Sequence, residues 1–493
     1  MPGLNAQATK LAGYEFYEKV LGSPKYIVAP MVDQSELVSY HAGSTIYLSD
    51  KTRLGGGCLV DMADSYQLVY TPMINAKLFS ENNRKAFREQ QFNTAEGEEG
   101  SPEDRPLIVQ FCANDPEQLL TSAKVVEPFC DAIDINLGCP QDIARRGCYG
   151  SFLQDEWDLI YRLVNTLHKN LSVPVTAKFR VFPTVEKTVE YAKMLESAGA
   201  QILTCHGRTR DQRGHNTGLA DWEKIRAVKQ AVSVPVFANG NILFHSDIER
   251  CLEATGADAV MSAEGNLYNP AVFAPSLASM PPPVLPPSDP NTPHPRHWHI
   301  ATDTGLHPAH TTLALEYLSI VKSLKTPTSN GAIKAHLFKL FRPALSRETD
   351  LRDRLGKMRV DRGKERECVE KWEEVVRELD ARMRRDAMDV NDKTIDELIT
   401  IDPATGLKIL PHWVAQPYFR PLPPPPGGQT LKKKEIKSES APADSPMTNV
   451  NMQSAATEEP PTSSKRTTSE RSPEPNDDAS KRIKLNTDST DSG

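Results

Sequence analysis

Cys139 ends an apolar run, AIDINLG over residues 132–138, and is followed at once by Pro140, by arginines at 145 and 146 and by glycines at 147 and 150. A run that stops at Gly-Cys-Pro reads as a buried strand that delivers the thiol to the point where the chain leaves its sheet. Pro140 fixes the turn after it, because its ring locks φ, and the two glycines let the following loop bend. Other apolar runs end in polar or small groups: Pro30 with Met31, Thr71, Gln110, Asn136, Lys178, His206 with Arg208, and the stretches 239–241 and 264–266. The last two, NGN and the AEGN that begins at Ala263, are small residues whose backbone N–H groups suit a phosphate. The eight cysteines lie at 58, 112, 130, 139, 148, 205, 251 and 368 with no Cys-x-x-Cys pair, so no zinc or dithiol site is indicated and no metal is expected. Free thiols in a reducing compartment are expected, and Cys148, Cys205 and Cys251 read as small buried hydrophobes.

Eight β-rich runs position these groups: YIVAP at 26, LVYTPM at 68, PLIVQF at 106, AIDINLG at 132, PVTAKFR at 174, QILTCHGRT at 201, PVFANGN at 235 and DAVMSAEG at 258. Helical stretches alternate with them. In 186–199, for example, Val189, Ala192, Met194 and Leu195 recur at helical spacing before a glycine stop. Eight strand–helix units in ~250 residues predict an α/β TIM (β/α)8 barrel over 22–280 rather than a doubly wound sheet. The Gly-x-Gly-x-x-Gly that usually follows the first strand of the latter is absent.

The rest of the chain divides by composition. Residues 1–21 read as an N-terminal extension, and 281–310, rich in proline, as an irregular linker or insertion. A small helical domain is predicted over 311–388, an irregular extension over 389–420, and a disordered tail over 421–493, where almost no aromatic residue is available to form a core. The net charge of −7 argues against a polyanionic partner, yet residues 322–366 hold 13 Lys or Arg against 5 Asp or Glu. An acidic average can hide a basic face, and for a polyanionic partner the sign of a patch matters more than the sum. The N-terminus lacks a secretory signal and no apolar run is long enough to span a membrane, so a soluble intracellular protein is expected. Two basic clusters in the tail, 431–437 and 464–485, have the pattern of a bipartite nuclear signal, which adds the nucleus to the cytoplasm.

Seven motifs in order carry a resemblance: APMVDQSEL (29–37), YTPM (70–73), INLGCPQDIARRGCYGSFL (135–153), AKFRVF (177–182), HGRTRDQRG (206–214), FANGNI (237–242) and MSAEGNLYNPAVF (261–273). Together they resemble the tRNA-dihydrouridine synthases, nearest the eukaryotic branch that reduces uridines 16 and 17 of the tRNA D loop. The likeness covers residues 22–275 and continues more weakly through GAIKAHLFKLF (331–341).

The resemblance implies an FMN-dependent reduction of the uridine C5–C6 double bond, with NADPH or NADH as transient reductant and tRNA as partner of a monomeric enzyme. The flavin ring would lie against Pro30, Met31 and Val32, with Gln110, Lys178 and His206 bonding the ring or its ribityl chain. Its phosphate would rest on Asn239, Gly240, Asn241, Ala263 and Glu264. A fixed cation such as Lys178 stabilises an anionic reduced ring. Cys139 would donate the proton to C5, a role that needs the thiol rather than the thiolate and so suits an ordinary or raised pKa. Arg145, Arg146, Arg208, Lys334, His336 and Lys339 would contact RNA. Two other readings use the same residues: an FMN barrel oxidoreductase acting on a small molecule, which would not need the basic helical domain, and a catalytically inactive RNA-binding homologue.

One segment departs from the family. Residues 38–67 hold three consecutive glycines and no apolar stripe where the family has a compact helix. The hypothesis is that the segment replaces the first barrel helix as a translated intron; a spliced transcript encoding all of it would overturn this.

Overall fold

Each of the eight apolar runs forms a strand, and all are parallel: Tyr26–Val28 (β1), Gln67–Tyr70 (β2), Leu107–Cys112 (β4), Ala132–Leu137 (β5), Val175–Arg180 (β6), Ala200–His206 (β7), Val236–Asn239 (β8) and Ala259–Ser262 (β9). A two-residue strand, Ile74–Asn75 (β3), continues the path of β2 along β4. β1 pairs with β2 on one side and β9 on the other, and β2 pairs with β4, so the sheet closes into the expected TIM barrel. These features belong to a computed structural model that describes residues 10–32, 67–274 and 295–419, except 82, 94–98, 102–103, 215–216, 326–327, 359–364 and 404. The atypical segment at 38–66, the linker at 281–294, and the tail with its basic clusters lie outside the described residues.

Strand periodicity sorts side chains into two shells. On β5, Ile133, Ile135 and Leu137 face outward into the layer that holds Leu163 and Leu167. Ala132 faces inward with Ile27, Tyr70, Ile108, Ile202 and Phe237, and Asp134 and Asn136 share its side. The helix Gly13–Lys19 and the turn after it feed Phe16, Tyr17 and Leu21 into that inner cluster. Tyr17 Oη donates to the carbonyls of Pro24 and Asp258 ahead of β1 and β9. The described part of the expected N-terminal extension, residues 10–21, is thus a plug in the floor of the barrel.

Outer helices form where the sequence places them. Asp115 and Asp221 cap Pro116–Val126 and Trp222–Ala231 by accepting from first-turn N–H groups. Val185–Ser197 buries Thr188, Tyr191, Ala192 and Leu195. Val189 and Met194, expected on that face, are only half-buried. Spacing alone leaves the centre of the apolar arc uncertain by one residue, or about 100° of rotation.

A second core is built by the helices His310–Ser323, Asn330–Leu340, Thr349–Lys357 and Glu365–Met388 around Trp372, Phe341, Leu379 and Met383. Two expectations are corrected here. Residues 300–307, predicted irregular, form the antiparallel hairpin Ile300–Thr302/Gly305–His307, with Trp298 and Ile300 buried in the second core. Residues 389–420, predicted as an irregular extension, add the small hairpin Thr400–Ile401/Lys408–Ile409 and bury Leu410, Trp413, Val414 and Ala415 in the same core. Isolated apolar residues carry no period, so such short segments are not visible as structure until their partners are in place.

Candidate functional site

Strand register brings the polar ends together at the C-terminal mouth. Gln110 lies opposite Asp134, Asn136 opposite Lys178, Arg180 opposite His206, and His206 opposite Asn239. All sit at inward positions near the strand ends, where this fold places its chemistry.

The turn that carries Cys139 is held at several points. Asn136 Oδ1 accepts from the N–H of Gly138 (3.1 Å) and of Cys139 (2.9 Å), the side-chain turn that asparagine favours. The Cys139 carbonyl accepts from Ser151 N (3.0 Å) and Ser151 Oγ (2.9 Å). Gly150 has φ +63, and a Cβ there would come within 2.7 Å of that carbonyl, so glycine is required at this close approach. The Cys139 side chain packs with Cys112, Ala144 and Tyr149. Burial pushes the thiol above its ordinary pKa, while the Gln141 N–H, Arg180 and Lys178 pull the other way. The sulfur is therefore protonated at neutral pH, with cations nearby to receive the charge left by a departing proton.

Across the mouth, Lys178 Nζ donates to Asn239 Oδ1 at 2.9 Å. Burial, then the neighbouring Arg180, lower its pKa to about 8. His206 is held well below its usual value by burial, then by Arg180, Lys178 and Arg208. It is neutral, and because Arg208 NH1 stands 3.3 Å from Nε2 and can only donate, the ring proton is on Nδ1. Arg208 also donates to Gly218 O and Asn241 Oδ1, both at 3.0 Å. Expected on RNA, this arginine is instead folded inward as a brace between loops.

The predicted phosphate cradle is a backbone surface, because its side chains are already engaged. Asn239 Nδ2 donates to Met261 O, and Asn241 holds both the N–H and the carbonyl of Ala220. Gly240 has φ +114, with Ala220 and His206 so close that a Cβ would meet them at 2.6 and 3.1 Å. Gly265 packs against Ile242 O, which joins this loop to the one that carries Ala263 and Glu264.

Pro30 and Met31 are half-buried beyond β1, and Val32 is 51% exposed. Three donor-bearing side chains, the Gln110 amide, the Lys178 ammonium and the neutral His206 ring, stand at inward positions near the strand ends. A donor-rich set beside an apolar edge fits a flat heteroaromatic ring bearing carbonyl acceptors, so these residues fit FMN. Among the described residues, no group of three or more His, Cys, Asp or Glu is placed to hold a metal ion, and no helix is long and apolar enough to cross a membrane.

Three inward residues, Asp134, Thr176 and Arg180, escaped the sequence reading. Arg180 donates through Nε to Gly138 O (2.8 Å) and through NH1 to Thr209 O (2.9 Å), tying the Cys139 turn to the loop after β7. Asp134, fully buried, accepts from Thr176 Oγ1 at 2.6 Å and from Gln110 Nε2 at 2.7 Å. Their signal is present as period two: 134 and 136 on one strand and 176, 178 and 180 on the next are polar within otherwise apolar runs.

The surface residues divide. Arg145 and Arg146 are exposed on the short helix after Cys139, with Arg145 5.2 Å from the Phe152 ring. Lys334 donates to Gly356 O, and Lys339 stands 5.7 Å over Tyr268. His336, expected on RNA, is 5% exposed with its ring 5.0 Å from Tyr317, which corrects that expectation: it belongs to the inner face of its helix. Cys148, expected buried, is exposed at a helix end with φ +51, whereas Cys205 and Cys251 are buried.

Comparison with known proteins agrees with this geometry. The sequence profile of the dihydrouridine synthase (Dus) family matches residues 27–366. The chain is 44% identical to the tRNA-dihydrouridine(16/17) synthase (NAD(P)(+)) of Saccharomyces cerevisiae over 429 residues, 85% of this chain and 88% of that one. It is 42% identical to the Schizosaccharomyces pombe protein of the same name, over 84% of this chain and 92% of that one. A rat protein named tRNA-dihydrouridine(16/17) synthase (NAD(P)(+))-like is also 42% identical, over 84% and 78%. With its barrel closed, a family profile matched over residues 27–366 and relatives matched over most of their length, this chain belongs to the dihydrouridine synthase family.

Proposed function

We propose that this protein reduces uridine to 5,6-dihydrouridine in the D loop of tRNA, at positions 16 and 17, as a monomer that takes its reducing equivalents from NADPH or NADH through FMN. The observation that carries this reading is a protonated thiol, Cys139, held in a rigid turn beside a donor-lined mouth. The flavin ring is assigned to Pro30, Met31 and Val32, with Gln110, Lys178 and His206 at its polar edge and the backbone of 239–241 and 263–264 at its phosphate. When bound and reduced, FMN supplies the hydride for C6 of the uracil.

The chain's own residues do the rest. Addition at C6 leaves negative charge over C5 and O4, and Cys139 transfers its proton to C5. A thiol raised by burial does not ionise in advance, so it yields its proton only to a base as strong as that carbanion. Arg180, Lys178 and the Gln141 N–H then stabilise the thiolate. For the substrate, exposed Arg145 and Arg146 flank the mouth. Arg347 and Arg352 are exposed on the helical unit, where Lys322 and Arg354 are already paired with Glu373 and Glu378. Those two charges are met by carboxylates at the surface, and the exposed arginines are the groups that support phosphate contact.

The test is a position-by-position measurement of dihydrouridine in tRNA from cells lacking the gene, with and without restoration of the wild-type chain. Loss at 16 and 17 with full restoration is expected; unchanged tRNA would sink the reading. A second expectation concerns pH. Lys178 and Cys139 both act in their protonated forms, so activity is present below the lower of the two pKa values and is lost as pH rises through it. Lys178, at about 8, titrates first. Arginine stays charged throughout this range. In Lys178→Arg, the alkaline limb of kcat/KM should move up by at least ~1 pH unit; a limb that stays near 8 would assign it to another group.

A further inference from the structure

Four side chains from three strands form a chain of hydrogen bonds beneath the mouth. Thr176 Oγ1 and Gln110 Nε2 donate to Asp134 (2.6 and 2.7 Å), Asn136 Nδ2 donates to Gln110 Oε1 (2.8 Å), and Asn136 Oδ1 accepts from the N–H groups of Gly138 and Cys139 (3.1 and 2.9 Å). Its two ends are chemically one-sided. An ionised carboxylate only accepts and a backbone N–H only donates, whereas each side-chain amide between them can face either way. With both ends committed, each amide has one permitted sense. Gln110 must turn its NH2 toward Asp134 and its oxygen toward Asn136, and Asn136 must turn its oxygen toward the Cys139 turn. Asp134 and Gln110 are fully buried, so no bulk water substitutes for a mismatched partner.

We propose that Asp134 is a positioning residue, whose carboxylate dictates through two side-chain amides both the turn that holds Cys139 and the N–H that Gln110 presents to the cofactor. Its part toward the flavin rests on the function proposed above; its part toward the Cys139 turn does not. The distinguishing feature is direction. A residue that only fills space would not care which partner donates, whereas here one swap of donor and acceptor repairs the chain and another breaks it.

Asp134→Asn removes the acceptor-only end. Thr176 can donate or accept, so the new amide can keep its oxygen toward Gln110 or turn its NH2 there, and in the second arrangement a flipped Gln110 faces Asn136 donor to donor; one enforced sense becomes two. Gln110→Glu sets two carboxylates against each other. The double change restores one sense, since Asn at 134 donates to Glu at 110, which also accepts from Asn136. Only the N–H assigned to the cofactor is then missing.

The experiment uses the full-length protein with its flavin and measures two quantities: the rate of iodoacetamide alkylation at the half-buried Cys139, resolved by peptide mass spectrometry because Cys148 is exposed, and the FMN dissociation constant. In Asp134→Asn, alkylation should change by about tenfold, the size expected for groups in one hydrogen-bond network, and FMN should bind more weakly. In the double variant, alkylation should return to the wild-type rate while FMN affinity stays low. Unchanged alkylation in the single variant, or a double variant no better than the single in folding or alkylation, overturns the proposal. Neither readout involves tRNA, so a wild-type protein inactive on tRNA would refute the proposed function and leave this inference standing.

Discussion

Cys139→Ala should retain its fold and its flavin and lose dihydrouridine formation by about 10²–10⁴-fold, the range supplied by one positioned proton donor. Alanine keeps the turn, because the groups that hold residue 139 reach its backbone: Asn136 takes its N–H and Ser151 its carbonyl. Only the sulfur goes, together with its contacts to Cys112 and Tyr149. The measurement is single-turnover: reduce the bound flavin anaerobically, add unmodified tRNA, and follow flavin oxidation together with dihydrouridine by mass spectrometry. Both should slow in parallel, because hydride addition that cannot be completed by a proton runs back. A loss of less than ~10-fold would mean that another group or water protonates C5, and the place of Cys139 at the mouth would then be a matter of packing. The buried thiol Cys251, on the outer helix Ser246–Thr255, is an internal control.

The second large effect concerns the helical unit. Trp372 is fully buried at the centre of the second core, between His310–Ser323 and Glu365–Met388. Trp372→Ala should cost about 3–5 kcal/mol, since it removes a large apolar side chain and leaves a cavity that rigid helices cannot close. Against a domain stability of about 5–15 kcal/mol, that is a substantial fraction. The barrel core is a separate cluster, so partial denaturation by guanidinium should release tRNA affinity at a lower concentration than flavin absorbance. Gel-shift and absorbance titrations of the same samples would show the split. Coincident transitions would mean that both cores unfold together and that the division into a flavin-binding and an RNA-binding unit has no energetic counterpart.

Legibility followed the range of each interaction. Alternation within β5 and helical spacing within 186–199 are local patterns, and they placed strands and helices to within a few residues. The helix phase was less certain, as Val189 and Met194 show. His336 was misplaced for a related reason: in NGAIKAHLFKL nearly every position is apolar or amphipathic, so the sequence has no clear polar face, and burial depends on which side meets Tyr317. The RNA contact expected of Arg208 rests on the resemblance alone, and the partners that hold it, Gly218 and Asn241, lie 10 and 33 residues away.

The amino-acid sequence by itself determined the barrel, the arrival of Cys139 at a strand end and the small-residue loops at 239–241 and 263–266, because each depends on residues within a few positions of one another. Tertiary structure alone decided that Arg180 braces the Cys139 turn, that the N-terminal helix plugs the barrel floor, and that Asp134, Gln110 and Asn136 share one directional chain. Those partners meet across strands, 24 residues apart for Gln110 and Asp134 and 42 for Arg180 and Gly138. Closing the sheet sets that register, and no local period encodes it.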